Sequence, residues 1–232
     1  MNTRLQLFCA WMGPVFLVLY GLAFMALGKY IPPQPPSWSP VDVAMFYAEH
    51  TNRIRIAQLL GIIFSTLLFP WFAVISVQMA RIEGRYPMLS LMQFGGATLL
   101  IVFFQICSML WIIAAWRQDL DPAIVRMLHE SAWLIFVMVF PAFTMQLICL
   151  AIAGFMDKSP NPVWPRWACY FNIWVGFAGM GGGLACFFKS GPFAWNGLIG
   201  FYIPVAMFSI WLFINASLMI KGIKQQAELP ST

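Results

Sequence analysis

Charge is what this chain has least of. Only 9% of its 232 residues are Asp, Glu, Lys or Arg, while 61% are hydrophobic. A soluble domain carries about a quarter charged residues, and with so few this chain would face water with large apolar patches. The composition therefore excludes an ordinary soluble domain and predicts an integral membrane protein. The charge that is present sits between apolar runs and never in their cores. Ion- and proton-coupled transport commonly uses a membrane-embedded Asp, Glu, His or Arg, so a coupled pump or antiporter is disfavoured. Paired cysteines are missing as well. Cys9, Cys107, Cys149, Cys169 and Cys186 all fall in apolar runs and form no C-x-x-C motif, which argues against a thiol–disulfide oxidoreductase. Basic clusters are also absent. The thirteen Lys and Arg, net charge +5, stand singly in loops, a pattern suited to anionic lipid head groups and not to nucleic acid.

What is abundant is apolar length. Six runs, residues 7–27, 56–80, 88–116, 131–155, 168–188 and 198–220, each approach or exceed the roughly 20 residues that cross about 30 Å of hydrocarbon. Spanning segments must satisfy their backbone internally. The expectation is an all-α, integral membrane six-helix bundle forming one transmembrane domain over residues 1–232. The first run is longer than the roughly 7–15-residue core of a signal peptide, and it is read as a retained span. With an even number of spans both termini share one side. The basic residues split nearly evenly between the two sides, so orientation rests on Lys221 and Lys224 directly after the last run. These point to cytoplasmic termini.

Two longer loops, between the first and second runs and between the third and fourth, have one design. Ser39-Pro40 with Asp42 opens an amphipathic helix running to about His50, and Asp121-Pro122 opens a second. Both are expected on the outer face, lying along the interface or capping the bundle. The runs that follow share a Phe-Pro-x-Phe core, Phe69 to Phe72 and Phe140 to Phe143, which suggests a duplicated unit. Pro14, Pro70, Pro141 and Pro204 are expected to kink helices. Gly179, Gly181, Gly182 and Gly183 make the fifth run an intrinsically weak helix, where a local break is credible.

The ionisable residues that remain gather on the predicted outer face. Glu49-His50 precedes the second run and His129-Glu130 lies at the start of the fourth. Convergence of these four would make a general acid/base pair, or a metal site on His50 and His129, or axial ligands for a haem. No ligand spacing supports a metal, and solvated interface anchors are the plainer reading.

Two loops are non-generic: Asp157 to Trp167, rich in proline and tryptophan, and Lys189 to Gly197, containing Gly191-Pro192. With the Ser-Pro-x-Asp-Val-Ala-x-Phe-Tyr opening at Ser39, they resemble a family of uncharacterised bacterial inner-membrane proteins. The resemblance implies a six-helix bundle in a bacterial inner membrane and transfers no catalytic residue or cofactor. Trp164 and Trp167 are expected at head-group depth, with Phe193 and Trp195 in the opposite aromatic belt.

The functional expectation follows from 22 Phe, 11 Trp and 15 Met, kinking prolines and uncharged interior amides. Such surfaces accommodate apolar ligands. The bundle is expected to bind or handle an apolar small molecule or lipid-like compound, with Gln105, Gln146, Asn172, Gly182, Trp195 and Asn196 as contacts. One alternative is a membrane enzyme, an isomerase or a metal- or haem-dependent redox protein, using the His/Glu cluster. The other is a non-catalytic subunit of a larger membrane complex or homo-oligomer.

Overall fold

Proline and glycine decide where the apolar runs break. The computed structural model of the protein describes residues 2–117 and 119–228, and all regular structure among them is helical. The eight α-helices are α1 (Thr3–Leu22), α2 (Pro40–Ser65), α3 (Leu68–Glu83), α4 (Met88–Ala114), α5 (Pro122–Met138), α6 (Phe140–Met156), α7 (Arg166–Gly179) and α8 (Ile203–Glu228). Pro70 is the third residue of α3, Pro141 the second of α6 and Pro204 the second of α8. Pro70 and Pro141 therefore occupy first turns, where the missing N–H has no intrahelical partner to lose, whereas Pro204 follows the π-helical turn Leu198–Tyr202 inside one helical stretch, Leu198–Glu228. The interruption precedes the proline: a short turn at Thr66–Leu67, and Val139 between α5 and α6. The two Phe-Pro-x-Phe cores thus occupy like positions, each at the start of the second half of a broken helix.

Five helical stretches among the described residues are long and apolar enough to cross a membrane: Thr3–Leu27, Pro40–Glu83, Met88–Ala114, Pro122–Met156 and Leu198–Glu228. This is the architecture of a multi-pass membrane protein. The fifth apolar run differs. Its α-helix, α7, ends after 14 residues at Gly179, and seven residues of 3-10 helix, Met180–Cys186, continue it. The glycine run is the cause, since glycine costs about 1 kcal/mol per residue against alanine in an α-helix.

Both predicted N-caps are present. Ser39 and Asp42 form a reciprocal capping box, and Asp121 accepts from the Ala123 N–H at 2.7 Å. The segment after Ser39 reaches a break at His50, as expected: the residue is non-helical (φ −113°, ψ 15°) and kinks α2 into two helical parts, the second continuing directly to Ser65. Val43 and Tyr47 face inward while Val41 and Met45 are exposed, so the segment extends a spanning helix and does not lie flat beside one.

In the packing, α4 touches α2, α3, α5 and α6, while α1 packs on α3 and α8, and α7 joins α6 to α8. At one end of the bundle Gln78 of α3 donates to Gln6 of α1 at 2.7 Å and exchanges bonds with Gln226 of α8 at 3.0 and 3.2 Å. This places the first and last helices together at that end. There too the Glu83 carboxylate accepts from the Leu89 and Ser90 N–H groups at 2.6 and 2.8 Å, and from the Ser90 hydroxyl. It thereby satisfies orphan donors of α4 and places negative charge at a helix N-terminus. Deeper in the bundle, Trp211 donates to Asn172 at 2.6 Å and Trp164 to Asn215 at 3.0 Å. Trp164 is thus a core residue, 1% exposed, and not the interfacial anchor its loop suggested; Trp167 beside it is exposed.

Candidate functional site

Aromatic spacing on the first helix begins the site. Phe16, Tyr20 and Phe24 recur every four residues, which sets them on one face of a helix, and their rings contact in sequence at 5.1 and 5.8 Å. On the last helical stretch Phe201, Val205 and Phe208, spaced four and three residues apart, likewise share a face. These two stripes and a wall from α4, α5 and α6 enclose a cavity of about 340 Å³. Eight phenylalanines line it: Phe16, Phe24, Phe104, Phe136, Phe140, Phe143, Phe201 and Phe208. Ring pairs such as Phe24–Phe136 (5.6 Å), Phe104–Phe136 (5.5 Å) and Phe143–Phe208 (5.4 Å) knit the lining together. Tyr20 and Ser209 are the polar side chains in it.

Two π-helical turns flank this cavity. Ala23–Leu27 closes α1 with Gly28 N–H donating to Ala23 five residues back, and Leu198–Tyr202 opens α8 with Tyr202 N–H donating to Gly197. A π-turn inserts an extra residue per turn and re-aims the side chains around it; such turns recur at functional sites. Here Phe24 and Met25 come from the first turn, and Gly200 and Phe201 from the second. The first turn packs on α2 and the second on the 3-10 segment. So α1 and α8, tied through Gln78 at one end, lean on different neighbours at the other, and the cavity lies in the cleft between them. Its rim residues Leu17, Gly21, Val205 and Ser209 are half-buried and Met25 is exposed. The cleft therefore opens sideways, toward where lipid would lie.

Loop residues meet the cleft at one end. Ile31 lines the cavity there. Gln34, buried just beyond, donates to the Lys29 carbonyl at 2.8 Å and accepts at its own carbonyl the Trp195 indole N–H at 2.8 Å. Trp195, 5% exposed, thus clamps one loop to the other instead of standing in an aromatic belt.

The polar contacts expected from sequence lie elsewhere. None of Gln105, Gln146, Asn172, Gly182, Trp195 and Asn196 lines the cavity. Gln105 donates to Ser65, Gln146 is buried beside Gln93, and Asn172 holds Trp211. Asn196 is half-buried in its loop. Gly182 packs so tightly that a Cβ there would stand 2.2 Å from the Val137 carbonyl oxygen. That carbonyl lies four residues before Pro141, where the proline removes its usual helical donor, and the glycine backbone lets it be approached closely. A lining of Phe, Trp and Met was the expectation from composition, but the individual phenylalanines were not singled out, and no tryptophan lines the cavity. The four-residue period of Phe16, Tyr20 and Phe24 was the available signal.

The histidines and glutamates expected to converge likewise have separate partners. His129 is 1% exposed, with Nδ1 3.0 Å from the Tyr47 hydroxyl, which lies 3.4 Å from the Tyr30 hydroxyl. Its ring also meets Trp133 edge-on. His50 instead stacks on Phe46 at 5.1 Å, near its own neighbour Glu49 at 3.9 Å. Glu130 pairs with Arg126 at 2.8 Å. Among the described residues no group of three or more His, Cys, Asp or Glu is placed to hold a metal.

No protein-family model matches the chain, and no curated protein or solved structure matches it.

Proposed function

We propose that this is a six-span protein of the bacterial inner membrane that takes an apolar small molecule from the bilayer into the cleft between α1 and α8. The phenylalanine-lined cavity carries the reading. Its size falls in the range of small-molecule sites, about 300–1,000 Å³, and its open side faces lipid, where the expected ligands are dissolved.

Six crossings follow from adding the broken fifth run to the five long stretches. Fourteen α-helical residues at 1.5 Å and seven 3-10 residues at about 2.0 Å reach roughly 35 Å, enough for the hydrocarbon core. An even count agrees with the Gln6–Gln78–Gln226 junction, which brings both helix ends to one side. Lys221 and Lys224 favour the cytoplasm for that side. A reporter at the C-terminus should work only if it requires the cytoplasm, and one inserted near Ser37 only if it requires the periplasm. The two reporters showing the same compartment would overturn the topology.

Filling the cleft tests the binding. A Cβ at Gly21, on the cavity rim, meets no atom within 4 Å. Gly21→Phe should therefore place a ring in the void with the fold kept. An apolar ligand at about a hundredfold over its Kd stabilises a protein by about 2.7 kcal/mol. In detergent, hexadecan-1-ol should raise the melting temperature of the wild type and leave that of Gly21→Phe unchanged. Equal stabilisation of both would show that the alcohol acts elsewhere.

A further inference from the structure

Resting on the binding reading above, we propose that the cleft's ligand is a single-chain anionic amphiphile, such as a long-chain fatty acid, with its tail among the phenylalanines and its head at Lys29 and Arg53. Three observations lead there. The first is size. A dry cavity of about 150 Å³ holds one benzene, and this one, at about 340 Å³, is little more than twice that. It suits one chain; a two-tailed lipid would leave half its hydrocarbon outside.

The second is direction. The half-buried rim residues Leu17, Gly21, Val205 and Ser209 open the cleft sideways, and Met25 and Ile31 carry its lining up to the loop that holds Lys29. A ligand that enters from the side therefore keeps its polar end toward that loop.

The third is charge. Lys29 follows Met25 of the lining by four residues and precedes Ile31 of the lining by two. Arg53 donates through Nη2 to the Ala26 carbonyl at 3.0 Å, in the same π-turn that supplies Phe24 and Met25. Neither cation belongs to an ion pair among the described residues, where the two pairs are His50–Glu49 and Arg126–Glu130. Both side chains are exposed. Two unpaired cations beside the mouth of a cavity with no charged lining match a carboxylate on an alkyl chain.

The test compares hexadecanoate, hexadecan-1-ol, hexadecyltrimethylammonium, diacyl phosphatidylglycerol and inorganic phosphate as stabilisers of the protein in nonionic detergent at pH 8. Hexadecanoate should bind roughly fivefold more tightly than the alcohol, the factor that about 1 kcal/mol from exposed charges supplies. The preference should shrink with added salt. Lys29→Gln with Arg53→Gln should remove the preference and leave the alcohol's affinity as it was, and Arg53→Lys should retain it. Because Arg53→Gln also loses the bond to Ala26, Lys29→Gln alone serves as the milder variant and should lower the preference in part. Equal affinity for acid and alcohol, or preference for the ammonium, overturns the head-group assignment while leaving the cavity reading standing. Phosphatidylglycerol binding as tightly as hexadecanoate overturns the single-chain assignment. Stabilisation by inorganic phosphate alone would show an anion site independent of the cleft. If no alkyl compound stabilises the protein, the binding reading itself fails.

Discussion

Gly182→Leu is expected to unfold the protein or prevent its accumulation, and the loss should be far larger than for Gly21→Leu. At position 182 the first added carbon would stand 2.2 Å from the Val137 carbonyl oxygen and 3.1 Å from its carbonyl carbon. Both are backbone atoms, so no rotamer change relieves the clash, and the 3-10 segment would have to move away from α5. Overpacking a core costs about 1–3 kcal/mol, occasionally more, and a backbone clash belongs at the upper end. Gly21 has open space at the same step, and leaving glycine gains up to about 1 kcal/mol of helix propensity. Thermal denaturation of the two variants in one detergent checks the contrast. Similar melting temperatures would mean that α5 and the 3-10 segment do not meet at Gly182.

The second large effect is expected at Asn172. Its Oδ1 accepts the Trp211 indole N–H at 2.6 Å and its Nδ2 donates to the Ala168 carbonyl at 2.7 Å, all within the buried core. Asn172→Leu strands the indole N–H of a fully buried tryptophan. An interhelical hydrogen bond in a membrane protein averages about 0.6 kcal/mol, whereas an unsatisfied buried donor costs about 1–3 kcal/mol. The destabilisation should approach the larger figure, because Trp211 is wedged between Trp71, Phe143 and Phe208 and cannot turn toward another acceptor. The affinity for hexadecan-1-ol should be unchanged, since Asn172 stands apart from the cavity lining. A loss of affinity equal to that of a cavity variant would return Asn172 to the site.

These two residues show where the sequence was informative. Spans and caps are local properties: run length, Ser39 with Asp42, Asp121 before Pro122. They were legible because each depends on neighbours within one or two turns. The weakness of the fifth run was legible for the same reason, as glycine acts on its own backbone. The partners of Asn172, Gly182 and Trp195 were not. Each is set by a contact with a distant part of the chain, Trp211, Val137 and Gln34, and an amide or an indole looks the same whether it meets a ligand or a neighbouring helix. Trp164 was misplaced similarly: a tryptophan in a Pro-rich loop reads as an interface anchor until Asn215 on another helix accepts its N–H. Polar contacts were sought among amides, whereas the cavity found between α1 and α8 is lined by eight phenylalanines with aliphatic residues and glycines, and only Tyr20 and Ser209 are polar.

The two faces of the cleft are separated by nearly the whole length of the chain, Phe16 to Phe24 on one side and Phe201 to Phe208 on the other. A ribosome delivers the N-terminal part first, so the aromatic stripe of α1 is made long before its counterpart exists. Until α8 arrives, that stripe has no facing wall and lies against lipid or a translocation partner. The pocket is thus the last feature to be completed during synthesis, and a chain truncated before Leu198 would keep most of its apolar helices yet lack one wall of the cavity.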